Sequence, residues 1–244
     1  MHRFFVEPAG ITHRAVHFDG DQAHQMRRVL RLRRGDRVLV LDGRGRQTEV
    51  ILDEVANARV TGQVGEWVAA TGEPRARLTL FQSLLRREKF EWVLQKGTEL
   101  GVARFVPVIT RRSLVRDLED VTPEKLGRWR RIVKEAAEQC GRGLLPELAP
   151  PLAFPDALRE AVDADVALIA WEGPVTRTIA DALRPDAASV ALFIGPEGGY
   201  DAEEVDEAVA AGCVAVTLGG RTLRTETAAV VGATLVLHAL GELG

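Results

Sequence analysis

Two glycine-rich segments in the last third of the chain have the residue types needed to hold a ligand through the backbone. Residues 194–200 read IGPEGGY, and residues 218–228 read LGGRTLRTETA. Glycines let a backbone approach a ligand closely and present its N–H groups. Neither segment matches the phosphate-binding P-loop or the GxGxxG pattern, which argues against nucleoside triphosphates and dinucleotides as ligands.

Ionisable and hydroxyl side chains accompany both segments. The second segment carries Arg221, Arg224 and Glu226 directly after its two glycines. Arg224 and Glu226 could form a surface ion pair of little consequence. Thr225 could cap the following helix through its hydroxyl, and the spacing of Asp201 and Glu204 predicts a capping box.

The elements that position these segments alternate between strands and helices from residue 75 onward. The predicted strands are Arg77–Gln82, Arg104–Ile109, Asp165–Trp171, Ser189–Ile194 and Cys213–Leu218. The predicted helices are Arg86–Leu100, Thr122–Cys140, Phe154–Ala161, Ala202–Ala211 and Thr225–Leu240. This alternation predicts a mostly parallel sheet with helices on both faces. Ligands of such sheets lie beyond the carboxyl ends of the strands, so we expect a site in the loops after Trp171, Ile194 and Leu218.

The first 72 residues have a different pattern. Short apolar runs separated by Gly and Asp predict closely spaced strands, with one helical segment at Asp21–Leu32. The pattern is typical of a small β-barrel, and Gly72–Glu73–Pro74 marks its end because proline disfavours helix in the residue before it.

Charge is distributed unevenly along the chain. The formal net charge is −3, but residues 1–150 sum to +7 and residues 151–244 to −10. Six arginines fall within residues 27–37, a density typical of a surface that binds nucleic acid phosphates. Charge alone leaves a solvated helix face equally open as an interpretation.

Composition narrows the class of protein. With 46% hydrophobic and 27% charged residues, the chain is expected to be a soluble globular protein. The longest apolar stretch, near Ala228–Leu237, is too short to span a bilayer, and the first residues lack a signal-peptide pattern, so we expect a cytoplasmic location. Cys140 and Cys213 are expected to be small core residues, and no metal site is predicted.

Six motifs resemble those of one family, the bacterial 16S rRNA uridine-N3 methyltransferases of the SPOUT superfamily. They are HQMRRVLRLRRGD (24–36), LDGRG (41–45), QKGTELGV (95–102), EAAEQCGR (135–142), IGPEGGY (194–200) and LGGRTLRTETA (218–228). They occur in the family's order and cover almost the whole chain. Tyr200 stands where the family often has Phe.

The resemblance implies an α/β fold with two domains. Residues 1–72 would form a PUA-like RNA-binding β-barrel, and residues 73–244 a SPOUT methyltransferase domain with a deep C-terminal trefoil knot. The knot would form the S-adenosylmethionine site. Implied partners are 16S rRNA, within the 30S subunit, and a second copy of the chain, the homodimer forming through the knotted domain.

The resemblance also implies roles for individual residues. Arg224 is expected to stabilise charge and Glu226, with weaker support, to act as base on N3 of a specific uridine (the U1498-type site). The expected cofactor-binding residues are Glu172, Ile194, Gly195, Pro196, Gly198, Gly199, Leu218, Gly219, Leu223, Arg224 and Thr227. The expected RNA-binding residues are Arg3, Arg14, Arg27, Arg31 and Arg142.

Two other functions remain open at this stage. Another SPOUT enzyme could methylate a ribose 2′-hydroxyl, which would place the methyl group on sugar and not on base. A non-catalytic RNA-binding or ribosome-assembly protein would depend on the barrel alone and would not need to bind S-adenosylmethionine.

Overall fold

The computed structural model describes residues 1–12, 14–56, 59–86, 88–115 and 117–244. The chain divides into two compact units. The first consists of Met1–Glu73 with Ala137–Leu145, and the second of Pro74–Ala136 with Pro146–Gly244. In the part of the chain that is described, no helix is both long and apolar enough to cross a membrane.

The first unit is a small curled sheet with one short helix. Its strands within the described residues are β1 (Arg3–Phe5), β2 (Ala15–Asp19), β3 (Arg37–Leu41), β4 (Arg46–Val55), β5 (Arg59–Val64) and β6 (Val68–Ala69). Their order is β1-β3-β4-β5-β2, with β6 paired to β4. All pairs are antiparallel except β1 with β3. Phe4 and Phe18 pack edge to face in its core, with ring centroids 5.8 Å apart.

The helical segment of this unit is irregular. The helix α1 (Gly20–His24) continues as a π-helical turn over Gln25–Val29, and Arg31 then adopts φ +57°. Met26 is buried, whereas Val29 is exposed. The expected single helix over Asp21–Leu32 is therefore shorter than predicted and ends in a widened turn.

The second unit is a parallel sheet covered on both faces by helices. Its strands are β7 (Arg77–Ser83), β8 (Arg104–Ile109), β9 (Glu147–Leu148), β10 (Leu152–Ala153), β11 (Val166–Ala170), β12 (Ser189–Ile194) and β13 (Val214–Val216). Its helices are α2 (Glu88–Leu100), α3 (Pro123–Cys140, whose last turn lies in the first unit), α4 (Phe154–Ala161), α5 (Ile179–Ala182), α6 (Ala202–Ala210) and α7 (Thr225–Ala239). The strand order is β10-β8-β7-β12-β11-β13, with β9 paired to β8, and every pair is parallel.

Alternating side chains of the strands enter two separate cores. On β7, Leu80 packs with residues of α2, α3 and α7, including Trp129. Its neighbour Phe81 points to the opposite face, where it stacks on Phe193 with centroids 4.4 Å apart and joins residues of α4 and α6. This alternation buries both faces of the sheet, and it confirms the predicted parallel sheet with helices on both sides.

The sequence-based boundaries agree closely with the observed ones. Arg104–Ile109, Ser189–Ile194 and Phe154–Ala161 have the predicted ends, and the other elements predicted after residue 75 differ by a few residues at most. The helix predicted from Arg86 begins at Glu88, and Arg87 lies outside the described residues. The expectation that both cysteines lie in the core is correct for Cys213 and wrong for Cys140, which is exposed.

Candidate active site

Three loops at the carboxyl ends of adjacent strands enclose a cavity in the second unit. The loops follow β11, β12 and β13, and the cavity measures about 230 Å³. Lys89, in the first turn of α2, completes its wall. Parallel strands place their carboxyl ends at one edge of the sheet, which is why segments separated along the chain meet here.

The loop after β12 approaches its neighbours more closely than a side chain would allow. Gly199 has φ +66°, and a Cβ atom there would lie 2.3 Å from Oε1 of Glu172. Arg112 holds the same loop from the other side, because its guanidinium donates hydrogen bonds to the carbonyl oxygens of Gly198 (3.1 Å) and Tyr200 (3.4 Å). Residue 199 is therefore suited to glycine on two grounds: its positive φ, and the lack of space for a Cβ atom.

The predicted capping box at the start of α6 is confirmed. Oδ1 of Asp201 accepts hydrogen bonds from the backbone N–H groups of Glu203 and Glu204, and Oε2 of Glu204 accepts one from the N–H of Asp201. The other carboxylate oxygen of Glu204 accepts the N–H of Arg111 at 2.8 Å. Glu204 is buried, so these bonds are what make its burial tolerable and fix the end of the loop.

The loop after β13 is joined to the loop after β12 through Thr225. This residue is buried, and its hydroxyl donates to the carbonyl oxygen of Gly195 at 2.5 Å. Nε2 of Gln82, at the end of β7, donates to the same hydroxyl at 3.2 Å. The expectation that Thr225 caps α7 is wrong: Arg224 is the N-cap residue, and no side chain caps this helix.

Charged side chains of both signs line the cavity. Nζ of Lys89 lies 3.6 Å from Oε2 of Glu226 and 3.8 Å from Oε1 of Glu197. Oε2 of Glu226 is buried and accepts no hydrogen bond from any described residue. Arg224 is exposed on the cavity wall, and Glu226 forms its ion pair with Lys89, so the alternative of an Arg224–Glu226 surface pair is wrong.

A buried phenol, Tyr200, and a buried thiol, Cys213, belong to the core on the face of the sheet covered by α4 and α6. Burial raises the pKa of Tyr200 well above its ordinary value. Burial likewise raises the pKa of Cys213 to about 11. Both groups are therefore uncharged at neutral pH, and neither serves as a base or a nucleophile.

Most of the residues expected to bind a cofactor lie on the cavity wall. They are Glu172, Ile194, Gly195, Pro196, Gly199, Leu218, Gly219, Leu223 and Arg224, and Glu226 joins them. Gly198 and Thr227 lie outside the wall. Residues on the wall that were not assigned a role from the sequence include Lys89, Glu197, Thr217 and Arg221. Lys89 could have been found from its position just after β7, which ends at the same edge.

The expected RNA-binding arginines all belong to the first unit. Arg3, Arg14 and Arg31 are exposed, and Arg27 is half-buried. Arg142 is 5% exposed, and its guanidinium is paired with the carboxylate of Glu73 at 2.8 Å. The guanidinium of Arg142, which was expected to contact RNA, is thus already paired with Glu73. Among the residues that the structure describes, no cluster of His, Cys, Asp or Glu could hold a metal ion.

Comparisons with known proteins find a family model and named relatives that match this chain. The family model described as an RNA methyltransferase domain matches residues 72–237. The Ribosomal RNA small subunit methyltransferase E of Bacillus subtilis is 31% identical over 241 residues, covering 93% of each chain. The protein of the same name from Synechocystis is 34% identical over 233 residues, covering 94% of this chain and 75% of the relative.

Solved structures extend this likeness to three dimensions. The Ribosomal RNA small subunit methyltransferase E of Neisseria gonorrhoeae, bound to S-adenosyl methionine, has a TM-score of 0.89 at 29% identity, covering 98% of this chain and 97% of its own. A structure from Legionella pneumophila in complex with the bound cofactor SAM has a TM-score of 0.90 at 29% identity, covering 97% of both chains.

Proposed function

Because this chain belongs to the RNA methyltransferase domain family, we propose that it transfers a methyl group from S-adenosylmethionine to N3 of a specific uridine in 16S rRNA of the 30S subunit. The observation that carries the proposal is the cavity at three strand ends, where a glycine-rich backbone meets Arg224 and Glu226. The relatives named for the small-subunit rRNA support the substrate class, and the two structures with bound S-adenosylmethionine support the cofactor.

The backbone of the cavity fits an adenosine group. Gly195, Gly199 and Gly219 line the wall without side chains, so a ligand can approach the main chain there, and a Cβ atom at Gly219 would meet no atom within 4 Å. Leu218 and Leu223 supply the apolar surface that an adenine ring needs. Together with the other predicted cofactor residues on this wall, they are assigned to S-adenosylmethionine.

The acidic side chains of the cavity fit the charge of the cofactor. Glu172, Glu197 and Glu226 face the same space, and carboxylates stabilise a sulfonium cation through opposite charge. Oε2 of Glu226 is in addition a buried acceptor with no hydrogen-bond donor among the described residues. A buried acceptor of this kind is costly unless a bound molecule satisfies it.

The residues of the cavity can perform the methyl transfer in a direct displacement. S-adenosylmethionine supplies an electrophilic methyl group on a cationic sulfur. The carboxylate of Glu226 accepts the proton of uracil N3, and Arg224 stabilises the negative charge that spreads to the ring oxygens. N3 then bonds to the methyl carbon as the carbon–sulfur bond breaks and the electron pair stays on sulfur. N3 lies on the pairing edge, so the uridine must be unpaired or flipped.

The proposal includes the finer features that the family resemblance implies. Residues 1–72 are proposed to form a PUA-like barrel that binds RNA through Arg3, Arg14, Arg27 and Arg31. Residues 73–244 are proposed to contain the trefoil knot and to form a homodimer, in the cytoplasm. The curled sheet of the first unit and the parallel sheet of the second are consistent with this architecture.

Transfer of a labelled methyl group tests the proposal. Purified protein is incubated with labelled S-adenosylmethionine and with 30S subunits that lack the modification, naked 16S rRNA is run in parallel, and the RNA is digested to nucleosides. We expect 3-methyluridine, made faster on 30S subunits than on naked RNA. The variant Gly195→Trp, which fills the cavity beside the Tyr200 ring, should bind no S-adenosylmethionine and transfer nothing.

Each other outcome contradicts a defined part of the proposal. A 2′-O-methylated nucleoside would keep the cofactor and overturn the base as target. Binding of S-adenosylmethionine without transfer to either RNA would contradict the substrate. Absence of cofactor binding in the wild-type protein would favour the non-catalytic RNA-binding function.

A further inference from the structure

Lys89 stands between two carboxylates on the wall of the cavity. It lies in the first turn of α2, directly after the loop that follows β7. Its Nζ atom lies 3.6 Å from Oε2 of Glu226 and 3.8 Å from Oε1 of Glu197, and its side chain is 37% exposed. The two carboxylates hold the ammonium at the cavity by charge, and the ammonium remains accessible to a molecule that enters.

Neither contact is short enough to be a hydrogen bond. Such bonds between charged nitrogen and oxygen measure about 2.7–2.9 Å, so neither carboxylate accepts a hydrogen bond from Lys89, and its N–H groups have no other acceptor among the described residues. Lys89 is a donor without an acceptor, and Oε2 of Glu226 is an acceptor without a donor: it is buried and receives no hydrogen bond from the described residues. An ammonium and a carboxylate thus lie side by side, with Nζ of Lys89 3.6 Å from Oε2 of Glu226, and both residues line the cavity.

This arrangement complements the pairing edge of uracil. That edge presents the N3–H donor flanked by two carbonyl acceptors, whereas cytosine presents an acceptor at N3 beside an amino donor. With uracil, Glu226 can accept the N3 proton while Lys89 donates to the carbonyl oxygen O4. With cytosine, the Glu226 contact would set acceptor against acceptor, and the Lys89 contact would set donor against donor because an amino group replaces O4. Such mismatched polar groups discriminate strongly between substrates.

Given the proposed function, we propose that Lys89 is a catalytic and specificity-determining residue, which donates to a uracil carbonyl oxygen beside N3 while Glu226 takes the N3 proton. Loss of that proton spreads negative charge onto the ring oxygens. A cation already hydrogen-bonded to one of them stabilises that charge more strongly than the neutral base. Lys89 therefore favours uracil in binding and lowers the barrier to its deprotonation.

The matched variants are Lys89→Met and Lys89→Arg, with Lys96→Met as control. Lys96 lies on the same helix and pairs with Glu99 at 2.8 Å, and it is absent from the cavity wall. We expect Lys89→Met to lower kcat for 30S subunits by about 100-fold, the usual effect of removing one donor to a developing oxyanion. The variant should stay folded and still bind S-adenosylmethionine, Lys89→Arg should recover part of the rate, and Lys96→Met should behave as wild type.

A more acidic substrate separates this chemistry from a structural role. In 16S rRNA transcribed with 5-fluorouridine and assembled into 30S subunits, electron withdrawal by fluorine makes the N3 proton easier to remove. The ratio of the wild-type rate to the Lys89→Met rate should therefore shrink on this substrate. Both proteins use the same particles, so any effect of fluorine on assembly cancels in the ratio.

Four results would overturn the inference. They are a wild-type rate for Lys89→Met, a loss of S-adenosylmethionine binding in that variant, an equal defect on both substrates, and a wild-type enzyme that makes no 3-methyluridine. The last result contradicts the proposed function and takes the inference with it. The first three leave the proposed function standing and contradict the role of Lys89 alone.

Discussion

The hydroxyl of Thr225 donates a hydrogen bond to the carbonyl oxygen of Gly195 across 2.5 Å, joining two residues that are thirty positions apart in the chain. Thr225 begins α7, and Gly195 begins the loop after β12. Nε2 of Gln82 donates to the same hydroxyl from the end of β7. One buried hydroxyl thereby sets the spacing between the two glycine-rich loops that line the cavity.

Thr225→Val should weaken S-adenosylmethionine binding about tenfold. Valine keeps the shape but removes the hydroxyl, so the Gly195 carbonyl and one N–H of Gln82 lose their partner; leaving a buried polar group unpaired costs about 1–3 kcal/mol. Isothermal titration calorimetry measures the affinity. Thr225→Ser retains the hydroxyl and should bind nearly as the wild type does, and equal affinities for the two variants would contradict this role.

Gly199→Ala should lower both the Tm and the affinity for S-adenosylmethionine. Gly199 has φ +66°, a conformation that residues with a side chain adopt only with strain. The new Cβ would lie 2.3 Å from Oε1 of Glu172 and would push that carboxylate away. Thermal unfolding with and without the cofactor measures both effects. Gly127→Ala is the control, since a Cβ there meets no atom within 4 Å in α3. It should raise Tm slightly through helix propensity, and equal behaviour of the two variants would contradict the prediction.

The parallel sheet could be predicted because its signal is local. Buried strands such as Ser189–Ile194 are continuous apolar runs, and the glycines that follow mark where they end. The position of the cavity then follows from the rule that parallel strands share a carboxyl edge. The four-residue helix α5 was missed because one turn is too short for a period to be visible.

The membership of Ala137–Leu145 in the first unit could not be predicted. It depends on contacts between distant segments, such as the backbone N–H of Phe5 donating to Oε1 of Glu138 at 2.8 Å. The pairing of Arg142 with Glu73 is of the same kind. A sequence pattern shows that Arg142 is charged, but only the fold shows that its charge is compensated and its side chain buried.

Arg142→Ala should destabilise the protein by about 3 kcal/mol, since removing one partner of a buried ion pair leaves the other uncompensated. The Glu73 carboxylate also accepts the N–H groups of Gly143 and Leu144, so its displacement affects that turn as well. Urea unfolding measures the change, and Arg142→Met combined with Glu73→Gln should restore most of the stability. If Arg142→Ala instead leaves the unfolding free energy unchanged and weakens RNA binding, the RNA role expected from the sequence holds.

Asp42→Asn should make unfolding less sensitive to acid. Burial alone would raise the pKa of Asp42. Hydrogen bonds from the Arg46 side chain and from the N–H groups of Arg44 and Arg46 outweigh this effect of burial, so the pKa lies below its ordinary value of 3.8. A lowered folded-state pKa stabilises the protein above about pH 4, and that contribution is lost as the pH falls further. Urea unfolding at pH 7 should show the variant less stable by about 1–2 kcal/mol, and at pH 3 the difference should shrink. Asp53→Asn, at an exposed carboxylate of β4, is the control, and a difference independent of pH would contradict the role of Asp42.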